Sequence, residues 1–185
     1  MDLVIVDDHP AVRSGLRALF DGEEGLRVVA TAGTAREGFE AIADAKPAVA
    51  LVDLHLPDDD GLSLCLRTRA LPEPPRAVIY SAFADAGLGV RAAIAGAYAV
   101  LAKSASPRAL TAVLRGELRP ALDPRALRAV GASLDPADLA ILGMLAHGVS
   151  EAEVAATLGL DPELARARRA AMLARLGRRR TPAAA

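Results

Sequence analysis

The sequence predicts an α/β domain built on a five-stranded, parallel, doubly wound sheet, followed by a small all-α helix-turn-helix domain. Over residues 1–118, short apolar runs typical of buried strands alternate with segments of helical spacing. Five strand–helix units in this length favour a parallel sheet with helices on both faces, because parallel neighbours need crossover connections. The rest of the chain shows helix-capping signals and an arginine-dense helix instead.

The strands are predicted from short, mostly apolar runs at 3–6, 26–30, 48–52, 77–80 and 99–102. Between and after these runs, apolar residues recur every three or four positions, which is the period of an amphipathic helix. The five helical segments contain residues 12–20, 35–42, 62–69, 90–94 and 110–114. A sheet of this kind binds ligands at the carboxyl ends of its strands, near the switch in strand order.

The composition excludes several classes of protein. With 22 Lys and Arg against 23 Asp and Glu, the net charge of −1 excludes a generally polybasic nucleic-acid coat. An apolar fraction of 52% argues against a disordered chain. The N-terminus carries acids where a signal peptide carries Lys or Arg, and no run approaches the about 18 apolar residues of a membrane span. Because Cys65 is the single cysteine, we expect a cytoplasmic protein without an internal disulfide and without a membrane partner.

Charge and helix-breaking residues mark a domain boundary. Residues 1–118 hold 16 acidic and 12 basic side chains, whereas residues 134–185 hold 6 acidic and 7 basic ones, all of them arginine. The segment between contains two prolines and a glycine, which interrupt regular structure. We therefore expect a first domain at 1–118, a linker at 119–133 with a short helix within 126–130, and a second domain at 134–185.

Five polar residues lie at the carboxyl ends of the predicted strands: Asp7 and Asp8 after the first, Asp53 after the third, Ser81 after the fourth and Lys103 after the fifth. Three converging carboxylates repel one another and need a cation, and oxygen ligands with room for water suit Mg²⁺. The set is typical of a carboxylate that accepts a phosphoryl group: Asp53 attacks, and Lys103 and Ser81 hold the product. Taken singly, each Asp is equally well explained as a helix N-cap.

Four motifs carry a resemblance to a known family: VDDHP at 6–10, VDLHLPDDDGL at 52–62, YSAF at 80–83 and GAYAVLAKSASP at 96–107. The spacing of the acid pair, the acceptor Asp, the Pro and Gly after it, the Ser and the Lys is that of response-regulator receiver domains, which residues 1–118 therefore resemble. The whole chain resembles two-component response regulators whose second domain is a LuxR-type (NarL/FixJ-like) helix-turn-helix. The resemblance implies a flavodoxin-like receiver fold.

The same resemblance implies the roles of the site residues. A sensor histidine kinase would phosphorylate Asp53, and Mg²⁺ would be held by Asp8, Asp53 and the backbone carbonyl of His55, with Asp7 helping through water. The chain would catalyse only its own Mg²⁺-dependent phosphorylation and dephosphorylation, and is otherwise not expected to be an enzyme. We expect the His55 ring to face solvent and His9 to be a loop residue, so neither ring is expected as a ligand.

One position departs from the receiver pattern. The family usually has Tyr or Phe three residues before the lysine, where this chain has Val100. Tyr98 shares the strand face by parity but is expected at the start of the strand, too far from the site. We therefore expect Val100 to pack in the core, with switching dependent on Ser81 and the loop after the fourth strand.

Residues 134–177 are predicted to form the three helices of the LuxR-type domain. Asp135 caps the first helix, Ser150 opens the second with a capping box, and Gly159 ends it before the arginine-rich third. That third helix would lie in the major groove with its arginines on DNA phosphates. The predicted DNA-binding residues are Arg166, Ala167, Arg168, Ala170, Arg175 and Arg178. The alternative is a solvated basic face without a partner.

Three departures from the family weaken the predicted DNA contact. The base-reading positions align with Arg166 and two alanines, Ala167 and Ala170, which offer only apolar contact. Glu151 stands where the family usually has Asn, so we expect its carboxylate to face a phosphate. The sequence ends at RRRTPAAA where the family continues into a pairing helix, so either the receiver supplies a homodimer contact or binding is weak and monomeric.

On the inward side of the third helix, we expect the aliphatic stem of Arg169 to pack on the core and its guanidinium to be free at the edge.

Two functions of different classes follow. The first is a DNA-binding transcriptional regulator switched by phosphorylation of Asp53, which the arginine-rich segment favours. The second is a phosphorylation-dependent interaction or phosphate-sink protein whose helix-turn-helix no longer binds DNA. Glu151 and the two alanines favour the second.

Overall fold

A computed structural model describes residues 1–177 of the chain. The strands are β1 (Asp2–Val6), β2 (Arg27–Ala32), β3 (Val49–Asp53), β4 (Arg76–Ser81) and β5 (Ala99–Ala102). The helices are α1 (Pro10–Asp21), α2 (Ala35–Ala45), α3 (Gly61–Thr68), α4 (Ala86–Ala95), α5 (Pro107–Arg115), α6 (Pro124–Gly131), α7 (Pro136–Ala146), α8 (Glu151–Leu158) and α9 (Pro162–Gly177). Within this part of the chain, no helix combines the length and the apolar character that a membrane span requires.

The five strands form one parallel sheet in the order β2-β1-β3-β4-β5, which confirms the predicted fold class. Every residue of β3 is buried, as expected for a central strand covered by helices on both faces. Because β1 has β2 on one side and β3 on the other, the strand order reverses there, and ligands of such sheets bind at that point. Val6 pairs with Val52, so Asp7 and Asp53 leave the sheet side by side.

Contacts between residues divide the chain into two compact units. The first contains the sheet with α1, α2, α3 and α5, and the second contains α4 with α6 to α9. The sequence does not indicate that α4, which lies between β4 and β5 in the chain, groups with the C-terminal helices. The division at 1–118, 119–133 and 134–185 stays a prediction about parts that fold independently.

Apolar side chains of the sheet pack against the helices of the first unit and form its core. Leu3 and Ile5 of β1 lie in one buried cluster with Phe20 of α1 and Leu114 of α5. Full burial of a side chain of this size contributes roughly 1.5–3 kcal/mol to the free energy of folding. The strand ends therefore keep the positions at which the site is assembled.

The second unit has the predicted helix signals. Asp135 accepts a hydrogen bond from the Asp138 backbone N–H, and Ser150 and Glu153 form a reciprocal capping box. Gly159 ends α8 with a φ of 61°, which favours glycine, and α6 confirms the short helix expected within the linker. The buried core contains Val90, Ile94, Ile141, Leu142, Leu145, Val154 and Met172.

Gly61 lies where the loop after β3 folds back on the strand end. Its N–H donates to the Leu54 carbonyl at 2.8 Å. A Cβ at this position would lie 2.1 Å from the carbonyl oxygen of Asp53 and 3.2 Å from Cα of Leu54. Only glycine therefore allows the loop to pass this close to Asp53.

We predict that Gly61→Ala lowers the free energy of unfolding by about 1–3 kcal/mol, because backbone atoms must shift to admit the methyl group. The matched control is Gly15→Ala, since nothing lies within 4 Å of a Cβ at this exposed position in α1. There alanine is expected to raise stability by roughly 0.5–1 kcal/mol, the helix-interior difference between the two residues. Urea unfolding of both variants tests this, and equal effects of the two substitutions would contradict the close approach.

Candidate functional site

The structure brings three of the five predicted site residues into direct contact. Asp7 follows β1, Asp53 ends β3 and Lys103 follows β5. The Lys103 Nζ atom lies 2.7 Å from Oδ2 of Asp7 and 2.7 Å from Oδ2 of Asp53, residues that are 96 and 50 positions away in the chain. One ammonium therefore bridges two carboxylates at the carboxyl edge of the sheet.

The two carboxylates of this double ion pair are buried. Asp7 is 1% exposed and Asp53 is 5% exposed, and buried carboxylates stay ionised only where charges or hydrogen bonds compensate them. Partial desolvation disfavours the charged form of Lys103, but its hydrogen bonds to Asp53 and Asp7 outweigh this and raise the pKa of the ammonium. Lys103 is therefore a positive charge at neutral pH, held between the two acids.

Backbone hydrogen bonds orient the charged groups. The His9 N–H donates to Oδ1 of Asp7 at 2.9 Å, and the His55 N–H donates to Oδ1 of Asp53 at 3.4 Å. The Lys103 N–H donates to the Ser81 carbonyl at 2.8 Å. These contacts leave the second oxygen of each carboxylate for Lys103.

Three carboxylates and one histidine ring form a candidate metal centre. Asp7, Asp8, His9 and Asp53 each offer one ligand atom, and these atoms lie within 4.8 Å of one another. Oxygen-rich sets of this kind fit hard divalent cations such as Mg²⁺. Asp8 is exposed, so one side of the set is open to water. The chemistry of the donors therefore fits a divalent metal ion.

His9 belongs to this group, although its ring was not expected as a ligand. It is the N-cap residue of α1, and its Nδ1 lies 2.5 Å from Oδ1 of Asp8. In the sequence, only its position directly after the acid pair in VDDHP indicated that its ring lies beside both carboxylates. The His55 ring is exposed, as expected, and the roles of the His55 carbonyl and of water at Asp7 stay predictions.

Ser81 ends β4 and is fully buried. Its Oγ accepts a hydrogen bond from the Phe83 N–H at 3.2 Å, so the hydroxyl holds the first turn of the loop that leads to α4. Phe83 itself is 79% exposed. The Ser81 hydroxyl also donates to the Phe83 carbonyl at 3.4 Å, so an acceptor that takes this proton competes with that contact to the loop.

Val100, at the aromatic position of the family pattern, is less buried than expected. Val100 pairs with Ile79 inside the sheet and is half-buried. Tyr98 precedes β5, and its hydroxyl donates to the Gly116 carbonyl at 3.4 Å, at the amino end of the strand. The Tyr98 ring therefore does not reach the acidic cleft.

The arginines of α9 that are predicted to bind DNA already have carboxylate partners. Arg166 pairs with Glu163 at 2.7 Å, and Arg168 pairs with Asp138 at 3.2 Å. Arg175 also reaches Asp138, at 3.4 Å. Ala167 and Ala170 are exposed, and Arg178 lies outside the described residues.

Asp138 is a residue that sequence reasoning did not single out for this role. It is buried, and its side chain contacts both Arg168 and Arg175. Burial and the neighbouring Asp135 raise the pKa of the Asp138 carboxyl, against the opposite influence of the two arginines. Its position three residues after the cap of α7 was the available signal, but that pattern identifies a capping residue and not its ion pairs.

Two expectations about the helix-turn-helix are wrong. The head of Arg169 is not free at an edge: the residue is 1% exposed, and its guanidinium donates to the Ile94 carbonyl and to the Glu151 carboxylate. Glu151 does not point outwards to a phosphate, because its half-buried side chain pairs with Arg169 and lies 3.5 Å from Arg166. A buried guanidinium needs compensating groups, and Glu151 supplies one.

Comparison with known proteins identifies the family. The sequence profile described as "Response regulator receiver domain" matches residues 3–115, the part that contains the acidic cleft. The chain belongs to the response-regulator family. The response regulator is 31% identical over 196 residues to the DNA-binding transcriptional activator DevR/DosR of Mycobacterium tuberculosis, with 97% of this chain and 90% of that protein covered.

Solved structures agree with the fold. A two-component response regulator of the LuxR family from Aurantimonas sp. SI85-9A1 is 29% identical, with a TM-score of 0.59 over 71% of this chain and 96% of that one. RcsB from Salmonella enterica serovar Typhimurium, bound to a promoter in the presence of a phosphomimetic, is 20% identical with a TM-score of 0.59 over 96% of this chain and 92% of that one. At this lower identity, the likeness to RcsB supports the fold alone.

We predict that Ser81→Ala weakens the response of this regulator to the phosphoryl mimic beryllofluoride more than Val100→Ala does. The Ser81 hydroxyl can donate a hydrogen bond and now contacts Phe83 of the loop, whereas the Val100 side chain has no polar group. NMR shift changes at residues 82–95 on adding Mg²⁺ and beryllofluoride measure the response, and we expect Ser81→Ala to remove more than half of it. Equal losses in the two variants would show that the hydroxyl has no special role.

Proposed function

We propose that this response regulator controls transcription by binding DNA when a sensor histidine kinase phosphorylates Asp53. The observation that carries the proposal is the buried Asp53 carboxylate, which contacts Lys103 on one side and borders a candidate divalent metal centre on the other. A carboxylate in this setting accepts a phosphoryl group beside positive charge that offsets the negative charge of the transferred group. The kinase, the DNA and a homodimer formed through the first unit are the proposed partners.

The proposed chemistry starts at the Asp53 carboxylate. One of its oxygens attacks the phosphorus of the donor phosphohistidine, the phosphorus–nitrogen bond breaks, and the imidazole leaves with the bonding electron pair. When bound, Mg²⁺ would neutralise charge on the transferred group, with Asp7, Asp8, Asp53 and the His55 carbonyl as its proposed ligands.

Two side chains hold the product in this proposal. The Lys103 ammonium exchanges its contact with the Asp53 carboxylate for one with a phosphoryl oxygen, while it keeps Asp7 as a partner. The Ser81 hydroxyl gives up its hydrogen bond to the Phe83 carbonyl and donates to another phosphoryl oxygen. The loop that begins at Ser81 is therefore the first part of the chain to sense the modification.

The proposed DNA contact lies on α8 and α9, which form the helix-turn-helix. Arg166, Arg168 and Arg175 would contact phosphates, while Ala167 and Ala170 are exposed for apolar contact with base edges. The relative named as a DNA-binding transcriptional activator supports this proposal, because its similarity extends over both units of this chain. The single buried Cys65 is in keeping with a proposed cytoplasmic location.

A second candidate function is a phosphorylation-dependent docking protein or phosphate sink without DNA binding. The specific observation in its favour is that Arg166, Arg168 and Arg175 are paired with carboxylates of their own unit. DNA phosphates must displace these acids before the arginines are available. That competition lowers DNA affinity relative to a helix with unpaired arginines.

We predict that beryllofluoride with Mg²⁺ tightens binding of the full chain to a specific fragment within pooled upstream DNA by about tenfold or more, within the usual range of coupling between sites. Affinity should fall as salt rises, with a slope of about −0.9 in log affinity against log salt for each phosphate contact. Titration at several salt concentrations measures both quantities.

The matched control is Asp53→Asn, which cannot bond the mimic and should bind DNA equally with and without it. Failure of the unsubstituted chain to retain DNA even at low salt, with or without the mimic, would contradict DNA binding and favour the docking function. Tightening that persists in Asp53→Asn would show that the acceptor is misassigned.

A further inference from the structure

α4 is part of the core of the unit that contains the helix-turn-helix. Val90 and Ile94 are fully buried in one apolar cluster with Ile141, Leu142 and Met172. α4 contacts α6, α7 and α9, so three helices of the C-terminal region pack against it. Without α4, apolar side chains of this cluster that are now buried would be exposed to water.

One polar residue of α9 ties the same helices together. Arg169 is buried in full, and its Nε donates to the Ile94 carbonyl of α4 at 2.8 Å. The Ile94 carbonyl lies in the last turn of α4, where carbonyl groups lack a partner within the helix and carry the negative end of the helix dipole. It is therefore a good acceptor for a guanidinium.

The same guanidinium holds the start of α8. Nη1 of Arg169 donates to the carboxylate of Glu151, the first residue of that helix. Because the guanidinium is a planar fork, one side chain contacts two acceptors in different directions at once, which an ammonium on a flexible stem does poorly. Arg169 thus fixes α4, α8 and α9 with two contacts.

We propose that Arg169 is a positioning residue through which α4 sets the orientation of α9. The position of α4 then affects how α9 contacts DNA. This inference rests on the proposed function, since the orientation of α9 matters where that helix binds DNA. It assigns to Arg169 a role different from that of Arg166, Arg168 and Arg175, which are the proposed phosphate contacts.

The chain gives α4 a direct connection to the phosphoacceptor site. Only the four residues 82–85 separate Ser81 from the first residue of α4. The Ser81 hydroxyl holds this segment through the carbonyl and the N–H of Phe83, and loss of the bond to the carbonyl on phosphorylation moves the chain that leads into α4. A displacement of α4 is passed to α9 through the Arg169–Ile94 contact and the apolar cluster around Val90.

Arg169→Lys separates the two contacts of the guanidinium. Lysine keeps a positive charge for Glu151 but lacks the second donor arm that reaches the Ile94 carbonyl. The matched control is Arg168→Lys on the same helix, because Arg168 pairs with Asp138 and has no hydrogen bond with α4 among those of the described residues. Each variant is studied as the full chain.

The first measurement is the ratio of DNA affinities with and without beryllofluoride and Mg²⁺. In Arg169→Lys we expect this ratio to fall by about fivefold or more, the low end of typical coupling between sites. In Arg168→Lys we expect both affinities to fall together and the ratio to stay unchanged, because a phosphate contact acts in both states. An unchanged ratio in Arg169→Lys overturns the proposal.

The second measurement does not depend on DNA. Amide hydrogen exchange of the unsubstituted chain should change in both α4 and α9 when the mimic is added. In Arg169→Lys the change in α4 should persist and the change in α9 should be lost. A change in α9 that survives the substitution, or no change in α4 of the unsubstituted chain, overturns the inference. If the exchange pattern is as expected but no DNA is retained, the proposed function fails and the role of Arg169 stands.

Discussion

The double ion pair of Lys103 with Asp7 and Asp53 is the constraint on which the rest of the first unit depends. It joins the ends of three strands that are far apart in the sequence, and it places a positive charge against two buried carboxylates. Removing Lys103 would leave two buried carboxylates without a cation, and uncompensated buried charge costs about 3–5 kcal/mol in typical proteins. The same arrangement prepares Asp53 for chemistry, because the ammonium that now neutralises the carboxylate also suits the oxygen of a phosphoryl group.

Much of the fold and of the acidic cleft could be predicted from the sequence because their signals are local. Each strand is a short apolar run, and the residue at its carboxyl end is fixed by chain order alone. A parallel sheet brings those ends to one edge, so Asp7, Asp53 and Lys103 had to lie near one another once the strands were identified. Gly61 was recognised only as part of the motif spacing, and its close approach to the Asp53 carbonyl is seen in the structure alone.

The second unit was less predictable because its decisive contacts are not local. The apolar spacing of α4 shows that one face is buried but not which helices cover it, and the helices that do so are α6, α7 and α9. Similarly, the sequence shows acids and arginines but not their pairing: Arg168 reaches Asp138 across 30 residues, and Arg169 reaches Glu151 across 18. The expected phosphate-facing Glu151 and edge-exposed Arg169 were wrong for this one reason, because each residue neutralises the other inside the protein.

The most direct test of the central claim is a crystal structure of the full chain with Mn²⁺ in place of Mg²⁺ and with beryllofluoride. We predict an anomalous peak among the carboxylates of Asp7, Asp8 and Asp53, beryllium bonded to an Asp53 oxygen, and the Lys103 ammonium in contact with a fluoride of the mimic. A cleft that binds neither metal nor mimic, or a Lys103 side chain directed away from Asp53, would contradict it.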